Sequence, residues 1–195
     1  MTLMERRRAL MGAKKGVTEN FVRIGNPTIV NGIMTPSADS WIEMKNAFDP
    51  DNNYWEFVFK VTRTYAYDWQ NIIYSSGIFY QANGPTVAIR LKSEGSSSWD
   101  IANGSTTFKI ETNEPTWIKT GYYHNQVGDF YAVYRSTDGI NYTLVQSFNP
   151  VQNPISPSTI MFGAKSSNTS AVRADYDLNE TYIKINDVVV WKPYT

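Results

Sequence analysis

The spacing of apolar and polar positions changes period once along the chain. Up to Gly16 the apolar residues recur every seven positions, Leu3 with Leu10 and Met4 with Met11, which is one stripe of a helix. Thr2-Leu3-Met4-Glu5 has the S/T-x-x-E form of a capping box, and Gly12 and Gly16 can end the turn it starts. So short a helix is unstable alone in water and needs a partner. After Gly16 the alternation has period two, and strands are predicted over 21–24, 28–34, 41–45, 54–64, 71–81, 86–92, 98–101, 106–112, 117–125, 129–135, 142–148, 159–165, 171–177 and 181–191. Turn-formers divide them: Asn31-Gly32, Asn83-Gly84-Pro85, Glu94-Gly95 with three serines, Asn103-Gly104, Asp138-Gly139 and Pro154-Ile155-Ser156-Pro157. No internal repeat is found. The pattern predicts an all-β, antiparallel sandwich over 17–195 behind a helical segment over 1–16.

The best-defined local element is the hairpin over 131–148. Tyr131, Val133 and Arg135 alternate with Ala132 and Tyr134, and Ser136-Thr137-Asp138-Gly139 makes the turn. Tyr142, Leu144, Gln146 and Phe148 then alternate on the return, and Gly139 is expected at a positive φ. A second hairpin closes the chain, with Ile183 and Ile185 toward the core, Asn186-Asp187 at the turn and Val188-Val189-Val190-Trp191 returning.

Composition agrees with a sheet protein. Aromatics make up 14% of the residues, with 13 Tyr and 6 Trp, while charged residues are only 18%, a palette for pleated, half-wet surfaces. The chain has no cysteine, which excludes disulfides, thiolate metal sites and cysteine nucleophiles. No apolar run approaches the ~18 residues of a membrane span and no signal-type apolar region follows the N-terminal charges, so neither membrane insertion nor export by that route is expected. The Asn-X-Ser/Thr triplets at Asn103, Asn141, Asn168 and Asn179 read as composition. Residues 1–16 carry five cations against Glu5, or +4, so with a net charge of zero the remainder carries −4. A mildly acidic body is a poor match for nucleic acid, which requires a basic face.

WEFVFKV at 55–61, TWIKTGYYHNQVGDFYAVYRSTDGINYTLVQSF at 116–148, IMFGAKSS at 160–167 and DLNETYIKINDVVVWKP at 177–193 come in an order that resembles laminin-G-like members of the concanavalin A-like lectin/glucanase superfamily. The resemblance covers about 20–195 and implies a jelly-roll sandwich with sugar-binding or sugar-cleaving relatives. The opening MTLMERRRALMGA is similar to N-termini of tail and baseplate proteins in phages and prophages of Gram-positive bacteria.

Several constellations compete as sites. Asp175-x-Asp177-x-x-Glu180 is near the E-x-D-x-x-E signature of retaining β-glucanases in that superfamily, whose chemistry needs two carboxyls ~5–5.5 Å apart. Against it stand the shorter Asp at the first position, a place close to the C-terminus, and a complete account of the segment as architecture. Asp49, Asp51 and Asn53 have calcium-loop spacing, but Tyr54 and Lys60 stand where an EF-hand requires Gly and Glu. His124 is the single histidine, and no G-x-S-x-G elbow accompanies it. Sugar binding asks instead for aromatic faces and amide or carboxylate partners at a rim. Two clusters supply them, Tyr65, Tyr67 and Trp69 in TYAYDWQN and Tyr122, Tyr123, His124 and Asn125 in YYHNQ, with Trp99 in a serine-rich loop as a third source.

The expectation is a non-enzymatic, carbohydrate-binding module of a phage or prophage tail that recognises cell-surface glycan. It has no catalytic residues, metal or cofactor, and residues 1–16 attach it to other tail proteins or assemble several copies. Its place would be the virion, or the bacterial host cytoplasm before assembly. A structural tail component without ligand, and a glycoside hydrolase acting through Asp175, Asp177 and Glu180, remain as alternatives.

Overall fold

The computed structural model describes residues 18–37, 40–44, 54–64, 70–74, 78–83, 86–91, 100–101, 107–126, 128–148, 160–163 and 174–195. The expected N-terminal helix lies outside the described residues. In chain order the strands are β1 (Phe21–Ile24), β2 (Thr28–Val30), β3 (Ile33–Thr35), β4 (Trp41–Met44), β5 (Trp55–Arg63), β6 (Gln70–Tyr74), β7 (Ile78–Asn83) and β8 (Thr86–Leu91). They continue as β9 (Asp100–Ile101), β10 (Thr107–Lys109), β11 (Pro115–Asn125), β12 (Gly128–Ser136), β13 (Thr143–Phe148), β14 (Met161–Phe162), β15 (Ala174–Ile185) and β16 (Val188–Trp191). All their pairings are antiparallel.

Two sheets form. The first runs β1-β4-β14-β6-β7-β8-β10 with β9 added to β8, and the second runs β13-β12-β11-β5-β15-β3-β2 with β16 added to β15. They share one core. Phe162 of the first sheet meets Phe57 edge-on at 5.9 Å and Tyr176 at 6.0 Å, and stacks on Trp191 at 6.3 Å, all from the second sheet. On β5 the residues Trp55, Phe57, Phe59 and Val61 point inward and are essentially buried, and each side chain of this kind contributes about 1.5–3 kcal/mol of transfer free energy.

The division into strands departs from the sequence expectation most at three places. The strand expected over 28–34 is a β2–β3 hairpin, because Asn31 and Gly32 both take positive φ, 51° and 82°. The strand expected over 71–81 is likewise two antiparallel strands, β6 and β7. Conversely, the break expected after Asp177 is absent. β15 runs through it by bulging: from Asp177 to Tyr182 it advances five residues while its partner β5 advances two, from Lys60 to Val58. The β2–β3 turn holds the bulge, with the Leu178 amide donating to the Gly32 carbonyl at 2.9 Å and Asn179 Nδ2 to the Asn31 carbonyl at 3.1 Å.

The two predicted hairpins form. In the β12–β13 turn, Asp138 accepts from the Ile140 and Asn141 amides at 2.8 Å and from Asn141 Nδ2 at 2.7 Å, which holds its carboxyl well below the usual carboxylate range. Gly139 has φ +74°, and a Cβ there would lie 2.9 Å from the Trp117 indole. The first and last described residues also pair: the Thr18 amide donates to the Thr195 carbonyl at 2.9 Å, and the Asn20 amide to the Pro193 carbonyl at 2.9 Å.

Candidate functional site

The second sheet offers aromatics in two places, and their surroundings differ. Its outer face carries Trp117, Tyr134, Tyr142 and Tyr182. Lysines cover these rings: Lys60 lies 4.5 Å above Trp117, Lys119 4.8 Å from both Tyr134 and Tyr142, and Lys184 5.5 Å from Tyr182. Such cation–π contacts occupy the ring faces a sugar would need. Of the three acids expected as a catalytic alternative, Asp175 and Asp177 are committed to structure in this region. Asp177 pairs with Lys60 at 2.9 Å, and Thr35 Oγ1 donates to Asp175 Oδ1 at 2.5 Å. Glu180 is exposed on the bulge.

The other place is the end of the sheet, where β5 begins, β11 turns into β12 and the β15–β16 hairpin reverses. A cleft of about 330 Å³ opens there, lined by Tyr54, Trp55, Glu56, Tyr122, Tyr123, His124, Lys184, Asn186 and Asp187. Strand register explains the gathering. Tyr122 sits opposite Trp55, Ile185 pairs with Trp55 from the other side, and the Asn186 amide donates to the Tyr54 carbonyl at 2.9 Å. Three elements distant in sequence therefore end at one level. Gly121, opposite Glu56, makes room for Tyr123: a Cβ there would overlap the Trp55 carbonyl oxygen and approach the Tyr123 ring at 2.9 Å.

One carboxylate organises the wall. Asp129, paired with His124 in the β11–β12 ladder, accepts from Tyr122 at 2.7 Å through Oδ2 and faces His124 Nδ1 at 2.8 Å and Tyr54 at 3.4 Å through Oδ1. These donors, Tyr122 first and His124 second, hold the Asp129 carboxyl below its usual value. A carboxylate only accepts, so Nδ1 carries the proton in this contact. Burial, and then the bond to Asp129, push the Tyr122 hydroxyl up to about 12, and burial also raises Tyr54. Both phenols are thus donors at neutral pH. Tyr54 stacks on His124 at 5.5 Å and leans on Tyr122 at 5.7 Å. The result is a fixed aromatic wall whose Tyr54 and His124 remain accessible.

Of the residues singled out in the sequence, Tyr122, Tyr123 and His124 come together here. The Asn125 backbone continues β11 opposite Gly128. Tyr65, Tyr67, Trp69 and Trp99 lie outside the described residues, as do Asp49, Asp51 and Asn53. Among the described residues no group of three or more His, Asp or Glu is arranged to hold a metal ion. Tyr54, Glu56, Lys184, Asn186 and Asp187 were not singled out as binding residues. The Asn186-Asp187 turn was legible, but its position beside Tyr54 is a matter of register.

The sequence matches no protein-family model and no curated protein. Solved structures do resemble the fold. The binding domain of botulinum neurotoxin DC in complex with SialylT superposes with a TM-score of 0.53 at 11% identity, over 88% of this chain and 43% of that one. The binding domain of botulinum neurotoxin serotype D/C gives 0.53 at 13% identity, over 88% and 44%. Domain 4 of AbnA, a GH43 extracellular arabinanase from Geobacillus stearothermophilus, in complex with arabinotriose, gives 0.51 at 15% identity, over 91% and 83%. The likeness is one of fold, and this chain spans less than half the length of the neurotoxin domains it matches.

Proposed function

We propose that this protein is a non-enzymatic carbohydrate-binding module of the laminin-G-like, concanavalin A-like jelly-roll type, and that the rim cleft is its sugar site. The observation that carries this reading is the cleft itself. It combines an aromatic wall of Tyr54, His124 and Tyr122 with hydroxyl-matching groups from Glu56, Lys184, Asn186 and Asp187. Aromatic surface for the apolar side of a pyranose, with a few placed polar groups for its hydroxyls, is what saccharide recognition requires. Solved structures of the same fold with SialylT and arabinotriose support the reading. The existing partners of Asp175 and Asp177 support a binding rather than a hydrolytic role.

The module's place, on this proposal, is a phage or prophage tail, supported by the resemblance of its first dozen residues to tail and baseplate N-termini. Residues 1–16 then attach it to tail proteins and present several copies, which matters because tethered weak sites gain avidity by orders of magnitude. A glycan microarray tests the binding claim. Wild-type protein is expected to bind a defined subset of cell-surface glycans, and Tyr54→Ala to weaken that binding by roughly two- to tenfold, the scale of one aromatic contact. Silence across the array, or binding indifferent to Tyr54→Ala, contradicts the reading.

A further inference from the structure

The charged groups around the cleft are unequally committed. Glu56 lies 3.6 Å from Lys119 and 3.9 Å from Lys184, so both cations near the cleft already face a carboxylate. Each lysine also rests on tyrosine rings of the outer face. Behind the aromatic wall Asp129 is an ionised carboxylate held by its three donors. Asp187 is different. It is exposed at the rim, at φ +65°, and its carboxylate makes no hydrogen bond or ion pair among the described residues. The lining holds Lys184 against the two carboxylates of Glu56 and Asp187, while just outside it Lys119 shares Glu56 and Asp129 faces His124.

We propose that this cleft selects saccharides by charge: it prefers a sugar bearing a free amino group, set against Asp187, to the neutral form of the same sugar, and it disfavours uronic and other acidic sugars. The inference rests on the carbohydrate-binding reading and names the ligand class for it. An acidic sugar would bring its carboxylate to a site whose two nearby lysines already share Glu56 and whose free group is also negative. An ammonium would meet a carboxylate that need give up no other partner. The effect is modest because Asp187 is open to solvent, where ion pairs are screened.

Titration calorimetry tests it with oligosaccharides of matched backbone and length in amino, N-acetylated and uronate forms, across glucan, galactan and mannan types. The expected order is amino, then N-acetyl, then uronate, with the first step about two- to fivefold, the range of an exposed ion pair. Asp187→Asn, in which Asn accepts the same left-handed backbone, should close the gap between amino and N-acetyl forms by weakening the amino form more than the N-acetyl form. Raising the salt should narrow the gap in the wild type. Tightest binding of a uronate, or a gap that survives Asp187→Asn, overturns the charge selection while leaving carbohydrate binding intact. Binding of none of the compounds overturns both.

Discussion

At the scale of single residues, Asp129 is where the site's order depends on pH. Its folded-state pKa lies below its ordinary value, so its contribution is complete above the unfolded pKa and is lost as pH falls through the folded one. Thermal melts from about pH 2 to 6 should therefore show the wild type losing stability below about pH 4, the ordinary carboxylate range. Asp129→Asn should flatten part of that acid limb, and Asp138, held low by its turn, accounts for another part. Identical acid limbs for wild type and Asp129→Asn would remove Asp129 as the organiser of the wall. That Tyr122, Tyr123 and His124 stand together at one strand end was legible in the sequence because they are contiguous at the end of an alternating run. Tyr54 and Asp187 were not, because nothing local distinguishes a tyrosine before a strand or an aspartate in a turn from any other.

At the scale of elements, β11 connects fold to site. Gly121 lets β11 approach the Trp55 carbonyl and lets Tyr123 fold back over it. Gly121→Ala should cost about 1–3 kcal/mol through overpacking and also weaken glycan binding by displacing Trp55 and Tyr123, as read by chemical denaturation and calorimetry together. Normal stability with normal binding would mean that this close approach is not required. Alternation revealed most strands, and the hairpin over 131–148 formed as expected around Asp138 and Gly139. It failed where a two-residue turn interrupted an apolar run, at Asn31-Gly32, since side-chain period continues across such a turn. It failed in the opposite sense at 178–181, because a bulge supported by a distant loop looks locally like the end of a strand.

At the scale of the whole molecule, the two-sheet core was legible and the location of the site only half so. Composition and period gave an antiparallel all-β protein, and the contacts of Phe162 with Phe57, Tyr176 and Trp191 show how its sheets close on each other. Which rim carries a cleft depends on long-range register between β5, β11 and β15, and no short window of sequence contains it. The central claim is that ligand enters this rim rather than the lysine-covered face. Backbone amide chemical shifts, followed by NMR during titration with the best array glycan, test it most directly. The account predicts saturable shifts at Tyr54, Trp55, Glu56, Tyr122, Tyr123, His124, Asn186 and Asp187; shifts centred instead on Lys60, Trp117, Asp175 and Asp177 would contradict it.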